Sequence, residues 1–134
     1  MTYVLDTNAV SALMKGAEAI VERLASHAPA DIVIPQPVIA EIANGIERLP
    51  RSKRRRILQG RFDLICSELT RVEWTDSVSL AFGRIKAALE RRGTRIEDFD
   101  AAIAAHALVN GATLVTSNAD HMTRVPGLTI EDWS

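Results

Sequence analysis

The chain has 134 residues, of which 47% are hydrophobic, 25% charged and 4% aromatic, with a formal net charge of −1. These values fit one globular domain over residues 1–134 with an aliphatic core, and they exclude a largely disordered chain. So few aromatics also exclude a base-stacking surface of the single-strand-binding kind, and the near-neutral charge leaves any nucleic-acid contact to a local basic patch. The single cysteine, Cys66, has no internal disulfide partner and reads as a small buried apolar residue. There is no signal-type segment, and no stretch approaches the roughly 20 apolar residues of a membrane span. The expectation is a soluble protein of the cytoplasm.

Taken in order, Tyr3-Val4-Leu5 predicts a short buried strand that stops at Asp6. Val10, Leu13 and Met14 then recur at helical spacing, with Gly16 as a stop. A second helix is expected from Ala17 to Ser26, turning Ile20, Val21 and Leu24 inward. Asp31 to Ile34 reads as a second strand closed by Pro35. Pro37 suits the first turn of a helix, where its missing donor costs nothing. Val38, Ile39, Ile42 and Ile46 form that helix's apolar stripe, and Glu41 lies near the preceding strand end. From Arg48 to Arg61 the chain turns basic, with Arg51, Lys53, Arg54, Arg55 and Arg56 and no acid.

Pro50 separates a further helix through Ile57, Leu58, Phe62 and Leu64. Arg71 to Trp74 is expected as a third strand. Asp76 or Ser77 then caps a long helix through Leu80, Ala81, Ile85, Ala88 and Leu89, ended by Gly93. Ile96 to Asp100 leads into an alanine-rich helix, Ala101 to Asn110, closed by Gly111. Ala112 to Thr116 is a strand, Ser117 to Met122 a loop or single turn, and Leu128 to Ile130 a last strand. Strands alternating with helices imply a mainly parallel sheet in a three-layer α/β/α sandwich.

Four places put polar or acidic side chains at strand ends or helix starts: Asp6, Glu41, the Asp98/Asp100 pair and Asn118/Asp120. In an open parallel sheet, ligands bind outside the carboxyl ends of the strands. Mg²⁺ and Mn²⁺ prefer oxygen ligands, and Mg²⁺ takes only one or two carboxylates directly while keeping several waters. Without a metal, such a cluster would repel itself and raise some pKa values. Each residue also has a plainer reading. Asp6 and Asp98 suit helix caps, Asp100 a first-turn charge, Glu41 and Asp120 solvated acids, and Asn118 a turn former. Thr7, Asn8, Thr116 and Ser117 would bond either carboxylates or backbone.

Leu5-Asp-Thr-Asn8, Ile39-Ala-Glu-Ile-Ala-Asn-Gly45, Ile96 to His106, Ala112 to Asn118 and the tail Val125 to Trp133 together resemble the PIN-domain ribonucleases. Within them, the chain is most similar to the VapC-type toxins of bacterial toxin–antitoxin pairs. The resemblance runs nearly end to end and implies Mg²⁺- or Mn²⁺-dependent cleavage of RNA. By position it makes Asp6, Glu41 and Asp100 metal-binding and catalytic, with Asp120 as a weaker catalytic participant. Asn8, Asp98, Thr116 and Asn118 support them. It further implies a homodimer and neutralisation by a VapB-type antitoxin.

The run Arg51 to Arg56 reads either as a solvated helix face or as a contact to RNA phosphates, which cations neutralise without reading sequence. His106 reads as a packed or capping residue, roughly opposite Asp100 on its helix. His27 and His121 lack a partner for a nucleophilic triad. Two competing functions remain: a phosphoaspartyl-type phosphatase using Asp6, which would want an acid where Asn8 stands, and a non-catalytic module binding RNA or a partner.

Overall fold

A computed structural model describes residues 1–134. Its centre is β1 (Tyr3–Leu5), whose three side chains are all buried. Five strands form one sheet: β1, β2 (Ile32–Pro35), β3 (Thr70–Val72), β4 (Thr113–Val115) and β5 (Ile130–Glu131). Their spatial order is β3-β2-β1-β4-β5, and every neighbouring pair is parallel. The helices are α1 (Thr7–Met14), α2 (Glu18–Ala25), α3 (Gln36–Glu47), α4 (Lys53–Glu68), α5 (Asp76–Arg91), α6 (Asp98–Val109) and the single turn α7 (Ala119–Met122). They flank the sheet in the expected α/β/α arrangement. None is long and apolar enough to cross a membrane.

The order places the site. From β1 the chain steps outward through β2 to β3, then returns to the other side of β1 for β4 and β5. Neighbouring strands that lead their connections to opposite sides leave a crevice above their carboxyl ends. Here that crevice lies above Leu5 of β1 and its partner Val115 of β4.

Alanine makes α6 fit. Ala101 to Ala107 are buried without a break, because α6 packs on the sheet and also against α5 and α3. The C-terminal tail is pinned by aromatics: Trp133 is buried, stacks on His27 at 4.9 Å and meets Tyr3 at 5.1 Å. Arg23 lies over its ring at 5.4 Å and pairs with Glu131 at 3.0 Å.

Several boundaries depart from expectation. Asp31 closes a 3-10 turn, Pro29–Asp31, and β2 begins one residue later and takes in Pro35. The third strand is Thr70–Val72, not Arg71–Trp74. Trp74 leaves the edge so that its indole packs near Phe82 and His106 and donates to Ser79 Oγ. Thr75, not Asp76 or Ser77, caps α5 by accepting from the Val78 N–H. The last strand pairs only from Ile130, after a turn with Gly127 at φ 78°. Val21 and Leu80 face solvent, 43% and 65% exposed, because each sits about 100° round the helix from the buried Ile20 and Ala81.

Candidate active site

Asp6 follows β1 at the crevice. Its N–H donates to the Val115 carbonyl (3.1 Å), so β4 fixes its backbone. Its Oδ1 accepts from the Ala9 N–H at 2.8 Å, which caps α1. The capping and site readings are therefore compatible: one oxygen orders the helix start, and the helix start holds the carboxylate in place. Asp6 is 4% exposed. Burial pushes its carboxyl above the usual carboxylate range. The neighbouring Thr116 hydroxyl and the Ala9 N–H oppose that shift, while the charges of Asp100 and Glu41 add to it.

Glu41 comes from the second turn of α3, where the Thr7 hydroxyl of α1 donates to its Oε1. Asp100 comes from the first turn of α6. Burial raises its carboxyl as well, and Glu41 raises it further, while His121 pulls it down. Thus three carboxylates separated by 35 and 59 positions in the chain act on one another at one rim of the sheet.

The supporting residues divide. Thr116 is buried beside Asp6, and its hydroxyl accepts from the Asn118 N–H at 2.9 Å. Asn118 is half-buried and turns its amide to His121 Nδ1 at 3.0 Å. Asn8 is exposed at the start of α1. Asp98 is not the cap of α6: it is the first helical residue, exposed, and pairs with Lys86 at 3.1 Å. Asp120 is exposed and outside the charges acting on Asp6 and Asp100. Arg51, Lys53, Arg54 and Arg56 are exposed, whereas Arg55 pairs with Glu47 at 2.9 Å.

His121 is a site neighbour that the sequence marks only weakly, through its spacing of three from Asn118, which one helical turn converts into contact. His106, by contrast, is buried in the core, its Nδ1 bonded to the Ala102 carbonyl at 2.9 Å.

The donor set suits a hard divalent cation. It is all oxygen and partly desolvated, with Asp6 and Asp100 held above their usual range by burial and by neighbouring like charge. No three His, Cys, Asp or Glu side chains stand close enough together to ligate one ion jointly, so an ion here would take one or two carboxylates directly and reach the rest through its waters.

A crevice at the switch of a parallel sheet, holding a carboxylate from each of three elements, defines the class, and the sequence defines the family. Residues 3–128 match the PIN domain, and the chain belongs to that family, whose nucleases depend on divalent metals. It is 33% identical to Ribonuclease VapC2 of Rickettsia felis, covering 99% of this chain and 98% of that one. It is 27% identical to the tRNA(fMet)-specific endonuclease VapC of Salmonella typhimurium, over 99% and 98%. The fold also matches VapBC2 from Rickettsia felis bound to a promoter DNA fragment, with TM-score 0.90, 30% identity and full coverage of both chains.

Proposed function

We propose that this single-domain chain is a divalent-metal-dependent endoribonuclease of VapC type, a toxin of the cytoplasm held inactive by a cognate VapB-type antitoxin. The observation that supports this reading most is the mutual action of Asp6, Glu41 and Asp100 above the β1–β4 crevice. Those three residues would hold Mg²⁺ or Mn²⁺, directly or through its waters. When bound, such an ion activates a water and offsets negative charge on the phosphodiester.

The chain's own residues set the geometry. The Ala9 N–H orients Asp6 and the Thr7 hydroxyl orients Glu41. Asp100 and Glu41 are half-exposed, so they can accept hydrogen bonds from crevice water and aim it at a phosphorus in line. We assign Asn118 the nearer supporting role, beside Thr116, and leave Asp120 at the exposed lip. RNA cleavage in Mg²⁺ or Mn²⁺ tests the reading. Asp6→Asn and Asp100→Asn should each lose on the order of 100-fold or more in rate, and a chelator should stop the wild type. A wild-type rate in either variant would remove that residue from the mechanism.

Asn8 stands where the phosphoaspartyl reading wants an acid, and membership of a nuclease-bearing family weighs against a purely binding module. The substrate we would test first is transfer RNA, from the name of the Salmonella relative. The DNA-bound VapBC assemblies of Rickettsia felis and Salmonella typhimurium make a VapB-type protein the expected partner. A basic side chain of that partner would fit among the carboxylates. Sedimentation should give twice the 14.7 kDa chain mass for a homodimer, and a heavier complex with the antitoxin co-expressed. A monomer unaltered by co-expression would contradict both expectations.

A further inference from the structure

The cations near the site are not equivalent. One cleft of about 270 Å³ has Thr7, Asn8 and Glu41 at one end and Lys15, Arg48 and Arg54 at the other. Lys15 and Arg54 also line an adjoining hollow with Lys53, so the depression continues past them. Glu41 is the only acid lining either space. Along this wall α1 advances about 12 Å from Thr7 to Lys15, long enough to pass more than one phosphate.

What separates the cations is whether they are already engaged. The chain's ion pairs are Arg23–Glu131, Arg55–Glu47 and Lys86–Asp98. Lys15, Arg48 and Arg54 are exposed and belong to none of them. Arg55 is half-buried, and its guanidinium bonds both Glu47 and the Leu49 carbonyl. Arg61 is likewise taken: it donates to the Met14 carbonyl at 2.8 Å and closes the end of α1. A guanidinium already bonded to protein gains little by exchanging that partner for a phosphate. A free one on an uncompensated wall releases counterions when a polyanion arrives.

We propose that Lys15, Arg48 and Arg54 form the track that takes RNA phosphates away from Glu41 along α1, and that Arg55 and Arg61 are structural. This rests on the ribonuclease reading and adds a direction to it. The carboxylate rim repels a phosphate chain, so the strand is held from one side, by the cleft wall. Contacts to phosphate position a strand without reading its sequence, so the track sets affinity and register, and the choice of base lies elsewhere.

The test separates the track from the chemistry by working in an Asp6→Asn background. A dye-labelled single-stranded oligoribonucleotide is titrated by fluorescence anisotropy at increasing KCl. Each phosphate contact on a single strand contributes about 0.7 to the slope of log affinity against log salt. The K15Q/R48Q/R54Q variant should therefore flatten the slope by about 2 and bind roughly tenfold or more weakly at low salt. It should melt at the same temperature as its parent. Arg55→Gln should keep the parent slope and lower the melting temperature.

An unchanged slope in the triple variant, or an equal flattening in Arg55→Gln, overturns the proposal. So does unchanged RNA binding with lost affinity for polyglutamate, which would assign the cleft to an acidic protein segment. Cleavage by the unsubstituted chain is measured separately. Its absence would sink the nuclease reading and leave the binding slopes to judge the track.

Discussion

At the scale of single residues, the site works against the fold. Asp6 and Asp100 are carboxylates raised by burial and by like charges, so the folded chain takes up protons more readily than the unfolded chain above the ordinary carboxylate pKa. Stability from these groups falls as pH rises through that window, because ionising either one without metal carries a cost in the folded chain. Asparagine removes the charge, and at position 6 it keeps an oxygen for the Ala9 N–H. In chelator, Asp100→Asn should melt higher than wild type by on the order of a few degrees, and added Mg²⁺ should narrow the gap by stabilising only the wild type. A lower melting temperature in chelator would show that Asp100 stabilises the metal-free fold. Scanning calorimetry at pH 7 with and without Mg²⁺ reads both.

At the scale of elements, α6 joins the site to the core. Asp100 opens the helix and His106 is buried six residues on, its Nδ1–H donating to the Ala102 carbonyl while Nε2 has no partner. Burial holds this imidazole below its ordinary pKa, against the pull of the Ala102 carbonyl. The unfolded chain therefore binds more protons once pH drops below about 6.5. The stability of α6 is full above that pH and declines as pH falls toward the lower folded pKa. Urea unfolding from pH 7.5 to 5 should show a steeper acid loss in wild type than in His106→Leu. Parallel curves would mean that the ring is not buried neutral.

The same elements show what the sequence makes legible. Apolar runs ending at Asp6 and Thr116 mark β1 and β4, because central strands buried on both faces leave no alternation to misread. Pro37 and the alanine-rich run from Ala101 mark α3 and α6. Edges were less readable: β3 and β5 are short, partly exposed and set by where Trp74 and Gly127 divert the chain. Facing differs from expectation at Val21, where apolar character alone does not tell which way a residue turns on a narrowly buried helix.

At the scale of the whole molecule, topology makes the site. Asp6, Glu41 and Asp100 meet because β1 lies between β2 and β4, so the helices that follow β2 and precede β4 both begin or pass near its carboxyl end. Spacing along the chain shows acids at strand ends and helix starts, but not that Asp98 turns away to Lys86 while Asp100 turns in. Nor does it show that His121 comes to face Asp100 across the crevice. Those outcomes depend on helix rotation, which the core decides. The basic run was visible as composition, yet only the fold separates the engaged Arg55 from the free cations beside it.

The central proposal is that Asp6, Glu41 and Asp100 together hold divalent metal, directly or through its waters, and Mn²⁺ titration followed by the electron paramagnetic resonance of the free ion tests it most directly. Wild type should take up Mn²⁺, with affinity roughly 10- to 100-fold weaker or more in Asp6→Asn and in Asp100→Asn. Equal affinity in wild type and both variants would contradict the account.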